Sequence, residues 1–373
     1  MASWFTTIVL VGILATIAAI ACAIYFGLYK PDLNMPFCSD EAVGNRLNGA
    51  SSTAKLGATK ESLFINLHPP TIAYAGIDCK KSFTEDKTII SALKGGIRTF
   101  ILQVDMLDKE KTGDFAKPGD PTLLLRSQDG SLISANSGDI SAVSTAIVNA
   151  GFTNTVPGND LPIVLYIHVV RAPNQITKAA EYKAFLGKIA KGLAPLAPRH
   201  LGSNALGNFH RQLKESEILT LPLSTFSGNV IILCNADTSV FKGDTTTVQP
   251  ANDLDYWVNM RVYALDTAHS GIGVAQKYSG SERASAVITS LEHVKSLPAA
   301  EALSFGLAGK SRYVITMTPN NPSKEDLNKA LNALGVNIVP INFLSEYTDK
   351  ALQYMDAYDN VPWPEKIASL RSK

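Results

Sequence analysis

The stretch PIVLYIHVV, Pro162–Val170, reads as a buried β-strand carrying one ionisable side chain, His168, near its carboxyl end. An imidazole in that place could move a proton or bind a metal. Three further groups stand at the ends of similar apolar runs. Asp105 closes RTFILQVD (98–105), Arg126 follows TLLL, and His68 follows LFINL. A carboxylate offers oxygen to a hard cation, a guanidinium offers a two-pronged donor to phosphate, and a pair of histidines offers an acid and a base. Each also has a structural reading: a satisfied histidine at the end of a strand, or an arginine inside a barrel. Residue type alone leaves both readings open.

Other patterns point to no chemistry. The six histidines (His68, His168, His200, His210, His269 and His293) form no H-E-x-x-H or other close ligand pair. Asp105, Asp108, Glu110 and Asp114 are interleaved with Lys109, Lys111 and Lys117, as in a solvated mixed-charge loop. Gly271-Ile272-Gly273 lacks the third glycine of a dinucleotide fingerprint, and Gly309-Lys310-Ser311 lacks the first glycine of a phosphate loop. No G-x-S-x-G elbow occurs. The four cysteines (22, 38, 79 and 234) contain no C-x-x-C pair. Buried reduced thiols are the expectation, with a Cys38–Cys79 disulfide as the alternative. A net charge of +1 with scattered Lys and Arg gives no footprint for nucleic acid, so none is expected as a partner.

Residues 4–29, WFTTIVLVGILATIAAIACAIYFGLY, carry no charge before Lys30. About 24 residues at ~1.5 Å each make a helix of roughly 36 Å, enough to cross a bilayer core. Trp4, Phe5, Tyr25, Phe26 and Tyr29 resemble interfacial anchors. We therefore expect a single-pass transmembrane anchor over 1–30 and a polar linker or wrapping segment over 31–61. Apolar runs and amphipathic stretches then alternate over 62–373. Expected strands are 63–67, 98–105, 122–127, 162–170, 229–236, 260–266, 312–317 and 337–343; expected helices include 85–95, 176–193, 280–297 and 323–335. Eight strands with helices between them predict an α/β fold, a (β/α)8 TIM-like barrel, as one domain.

Within that order, KESLFINLHPPTIAYAG, ALKGGIRTFILQVDML, PTLLLRSQDGSLIS, LPIVLYIHVV and GVNIVPINF with WPEKIASLR resemble the X-domain barrel of phosphatidylinositol-specific phospholipase C. The resemblance rests on order and spacing more than on identities. Its narrower form is to the membrane-anchored, phospholipase-like proteins of large DNA viruses. It implies a site of two histidines and a calcium ion held by Asn, Glu and Asp. Active members carry S-H-N-T-Y after the first strand, G-x-R-x-x-E-x-D on the second, H-G on the third and Glu on the fourth. In this chain IAYAG holds neither His nor Asn, and His68 falls several residues early. Gly96-Ile97-Arg98 matches G-x-R, which puts Ile101 and Gln103 where carboxylates belong and Asp105 two positions late. LLLRSQDG lacks the second histidine but supplies Arg126. The fourth-strand Glu falls on His168.

Neutral nitrogen is a poor ligand for calcium, and every expected carboxylate is replaced together with both histidines. Arg98, Gln103, Arg126 and His168 are thus the candidate barrel-mouth residues, with no confident catalyst and no cofactor or metal. The resemblance makes this a degenerate enzyme fold: a membrane-anchored structural or interaction protein linking a membrane to a virion capsid shell. Its expected partners are the bilayer, through residues 4–29, and other structural proteins, capsid proteins among them. Its expected location is a virion inner membrane. Two alternatives stand beside it. One is an active membrane phosphodiesterase using His168, Asp105, Arg126 and His68, with calcium only in that case. The other is a module that holds an anionic headgroup without cleaving it.

Overall fold

Runs of β-branched and aromatic residues bounded by Gly, Pro and Asn form the staves of a parallel barrel. In a computed structural model, the described residues are 61–78, 81–107, 119–126, 132–201, 215–241, 252–265, 284–318, 322–341 and 363–372. The strands are β1 (Thr71–Ile72), β2 (Thr99–Met106), β3 (Pro121–Leu123), β4 (Ile163–Val169), β5 (Val230–Cys234), β6 (Met260–Ala264), β7 (Ala286–Ser290), β8 (Tyr313–Met317) and β9 (Pro340–Ile341). Their order is β8-β7-β6-β5-β4-β2-β1-β9, and all neighbours on this path are parallel. A parallel bridge between Ile315 and Ile338 joins the two ends, so eight strands close into a barrel.

The expected staves and the observed ones differ in three places. LFINL is not a strand: Phe64–Asn66 form a 3-10 turn whose side chains plug the amino-terminal end of the barrel. The first stave is the short β1 that follows it. TLLLRS contributes β3, which pairs antiparallel to β2 and stands outside the barrel path. The missing stave is β7, inside the stretch 280–297 read as helix. Its core Ala-Val-Ile-Thr favours extended backbone, and Ser290 then caps the helix Leu291–Ser296 by accepting from His293 N at 3.1 Å. The transmembrane run, the linker, Asp108, Glu110, Asp114, Gly271–Gly273 and three of the cysteines lie outside the described residues. Cys234 is a buried free thiol whose pKa burial pushes up to about 12. Among the described residues, no helix is long and apolar enough to cross a membrane.

Alternation sorts each strand into two faces. Phe100, Leu102, Ile163, Leu165, Ile167 and Val230 face outward against α1 (Glu85–Lys94), α2 (Ile140–Ala150) and α3 (Ala179–Gly192). Ile101, Val164, Tyr166, Ile231, Leu233, Val262 and Ile315 fill the interior. At the floor, Phe64 stacks on Tyr313 with centroids 5.0 Å apart and meets Trp363 at 6.1 Å. The carboxyl-terminal segment crosses beneath. Leu67 and Glu365 form an antiparallel bridge, and Lys366 N donates to Asn66 O at 2.8 Å. The Lys366 ammonium is buried beside Asn337 Oδ1 and Gly309 O, and burial pulls its pKa down to about 7.

Candidate functional site

In a parallel barrel the strand carboxyl ends form the mouth, where side chains from different strands converge. Here that end collects Gln103 and Asp105 from β2, Tyr166 and His168 from β4, Arg126 beyond β3 and Arg171 beyond β4. Gln103 and His168 are direct partners across the β2–β4 ladder. Asn235, just past β5, fixes the next position: its Oδ1 accepts from Val169 N at 2.7 Å and its Nδ2 donates to Val169 O at 2.9 Å.

Asp105 is the centre of the arrangement. Its side chain is only 1% exposed and is held by two arginines, with Arg126 Nε at 2.5 Å from Oδ2 and Arg171 Nε at 2.6 Å from Oδ1. Met106 N donates to Oδ1 as well, at 2.7 Å, and Arg171 also reaches Met106 O at 2.8 Å. Three donors thus occupy the carboxylate. A calcium ion needs six to eight oxygens around it and would have to enter beside two guanidinium charges. Its other neighbours would be the neutral Gln103 and a histidine. The residues present do not fit that ion. Among the described residues, no three of His, Cys, Asp and Glu cluster closely enough to hold a metal.

His168 is 4% exposed, and its Nδ1 hydrogen-bonds the Tyr166 hydroxyl at 3.1 Å. Burial lowers the imidazole pKa to about 4 and raises that of Tyr166 well above the usual phenol range. Efficient proton transfer wants a pKa near the working pH. This pair is split to either side of it, so His168 is a weak base at neutral pH and Tyr166 a weak acid. Gln103 Oε1 is buried without a hydrogen-bond partner among the described residues.

Two candidates belong to the other end. Arg98 precedes β2 and so lies at the floor, not the mouth. It is fully buried, with Nε, Nη1 and Nη2 donating to the carbonyls of Pro162, Gly151 and Leu161 at 3.2, 2.9 and 2.6 Å. Burial lowers its pKa to about 9, opposed by Asp160. Its work there is to close strand ends. His68 precedes β1, bonds Glu365 O through Nε2 at 2.9 Å and anchors the carboxyl-terminal segment. It does not join His168. Burial is the main cause that lowers its pKa to about 4, with Lys366 and Arg371 adding to it.

Sequence reasoning missed Arg171, Tyr166 and Asn235. Tyr166 was within reach, since it lies two residues before His168 and must share its face. Arg171 lies past the strand end, where alternation no longer guides. Tyr74 takes a left-handed backbone (φ +53) just beyond β1, in the IAYAG segment where the resemblance places its first histidine. Ala73 N and Ala75 N on either side donate to Ile341 O and Ile101 O, which holds the turn. The Tyr74 side chain packs against the outer layer of the barrel wall.

The two buried histidines set an acid response. Each folds with a pKa near 4 against an ordinary 6.5, so the unfolded chain holds more protons between those values. Their contribution is complete above pH 6.5 and disappears as the pH falls through 4. It amounts to about 3 kcal/mol for each histidine at most. Urea midpoints measured from pH 7 to pH 4 should fall steeply, and His168→Gln should remove about half of the slope.

No family model and no curated protein matches the sequence. Solved structures do match. The PLC21 of L. pealei superposes with a TM-score of 0.51 at 10% identity, over 85% of this chain and 39% of that one. The PLC21 of S. officinalis gives 0.50 at 12% identity, with the same coverage. A calcium-dependent phosphoinositol-specific phospholipase C from a Pseudomonas species gives 0.40 at 13%, over 80% of this chain and 96% of that one. This chain thus spans about two fifths of the length of the two PLC21 proteins. At these identities the likeness is one of fold. The chain has a parallel α/β barrel of the kind found in those two structures.

Proposed function

From that fold we propose that the protein is a catalytically silent barrel tethered to a membrane, serving as a structural or interaction protein. The observation that carries the reading is the Arg126–Asp105–Arg171 cluster. The carboxylate at the mouth is spent on two internal ion pairs, and the remaining groups do not form an acid–base pair poised near neutrality. The apolar run 4–29 supports the tether. Linkage of that membrane to a virion capsid shell is the finer form of the proposal. It is supported by the anchor and the polar stretch 31–61, which suits binding along a neighbouring protein.

The test is turnover of phosphatidylinositol and of a glycerophosphodiester by the protein in detergent, with calcium and with a chelator. No release above a blank is expected in either condition. Turnover abolished by His168→Ala would overturn the proposal. A second reading has one observation in its favour: two arginines around one carboxylate leave the mouth cluster with a net charge of +1, and Arg171 is 39% exposed. Such a mouth suits an anion held without cleavage. Binding of inositol phosphate that Arg171→Met weakens would favour it.

A further inference from the structure

The helix α4 (Ala299–Ala308), AAEALSFGLA, is apolar in sequence yet buries only Gly306. Leu303 and Leu307, four residues apart on one face, are 67% and 53% exposed. Ile367 is 43% exposed and lies in the carboxyl-terminal segment beside the same helix. That neighbourhood is fixed by Leu370, whose side chain stands against Gly306 and Gly335, and by Lys366 Nζ, which donates to Gly309 O at 3.3 Å. Three of the four large hydrophobic side chains exposed among the described residues therefore share one flank. Exposed aliphatic side chains gathered on adjoining segments mark a contact surface. Gly309–Arg312 lead into the amino end of β8, so the flank belongs to the floor side of the barrel. The fourth residue, Ile176, follows β4 and belongs to the mouth side.

The position where the chain enters the barrel bears on what covers the flank. Ser62 Oγ hydrogen-bonds Glu365 Oε1, and Asn66 bonds Ser372 through both its side-chain amide atoms. The polypeptide that leads from the apolar run 4–29 thus arrives beside the segment that carries Ile367. Lys310 and Arg312, just past the end of α4, suit phosphate headgroups, while Glu301 stands near its start. A patch of three aliphatic side chains binds a bilayer weakly alone. A short tether raises its local concentration at the surface to the millimolar range or so.

We propose that the flank formed by α4 and the carboxyl-terminal turn lies on the bilayer that residues 4–29 enter, with Leu303, Leu307 and Ile367 at the headgroup boundary. This rests on the membrane reading of residues 4–29. The pose turns the barrel mouth away from the lipid and leaves it facing whatever stands opposite the membrane. A barrel that cleaved lipids of its own bilayer would need the reverse orientation.

The test uses the full chain in phosphatidylcholine–phosphatidylserine vesicles, with Cys22, Cys38 and Cys79 replaced by serine and the buried Cys234 kept. An environment-sensitive fluorophore is attached at Leu307→Cys or, separately, at Ile176→Cys, and a quencher is carried near the headgroup end of the acyl chains. Flotation with the vesicles and quenching at 307 at least about twofold stronger than at 176 are expected for an interfacial face. Flotation with quenching at 176 instead would overturn the pose while leaving the anchor standing. Flotation with the 307 label shielded from both lipid and aqueous quenchers would assign the flank to a protein partner and overturn it too. Failure to float would remove the anchor, and the pose with it.

Discussion

Asp105→Ala should destabilise the fold by about 3–5 kcal/mol, the range for removing one partner of a buried ion pair. The cause is the charge left behind. Arg126 is 13% exposed and loses its counter-ion, whereas Arg171, at 39%, has an easier route to solvent. Met106 N loses its acceptor as well. Asp105→Asn keeps the shape and should cost less. The double variant Asp105→Leu/Arg126→Met should recover much of the loss, because replacing a buried pair by apolar side chains is often neutral. Denaturant midpoints of the native protein, Asp105→Leu, Arg126→Met and the double variant form the cycle that isolates the pair. A loss below about 0.5 kcal/mol for Asp105→Ala would mean that the mouth is well solvated and that the carboxylate is available for other chemistry.

Trp363→Ala should cost a similar amount, about 3–5 kcal/mol, by emptying a fully buried indole from the floor. The indole packs against Phe64, which in turn stacks on Tyr313, so the cavity opens under the central aromatic of the plug. Trp363→Phe should cost much less. The Nε1 hydrogen has no partner among the described residues, so phenylalanine gives up no hydrogen bond there. Thermal unfolding of both variants would check the ranking. A small loss for alanine would mean that the carboxyl-terminal segment is an appendage of the barrel and not part of it.

Much of the fold was legible in the chain. PIVLYIHVV and NVIILCNA read as staves because they are apolar on both faces, and both are. Ser323 and Asp326 read as a capping pair, and each side chain accepts from the other's backbone N–H. Gly335 ends that region with φ +64. What failed did so for physical reasons. LFINL has strand composition but serves as a plug, since burial at a barrel end asks for the same side chains as burial in a stave. β7 is short and adjoins a helix, so its four β-branched and small residues were absorbed into the helical period.

The site was legible in part. Asp105, Gln103 and His168 share the inner face at the mouth end of β2 and β4, where alternation fixes their side, and Arg126 reaches Asp105 from beyond β3. Arg98 was put at the wrong end, although chain direction alone sends the start of a parallel strand to the floor. Arg171 was invisible, since it sits beyond the strand where no periodicity holds, and it proved to be the second clamp on Asp105. The choice between an open and a closed carboxylate therefore depended on a contact 66 residues apart in sequence, which no local pattern carries.

A silent barrel requires that the mouth carboxylate be closed to a metal ion. Thermal unfolding of the protein in millimolar calcium, against the same protein in chelator, tests this directly, because a ligand that binds only the folded state raises its midpoint. Coincident curves are expected for the native protein and for Asp105→Asn. A rise of several degrees or more with calcium, lost in Asp105→Asn, would show that the arginines release the carboxylate and that the site is still a metal centre.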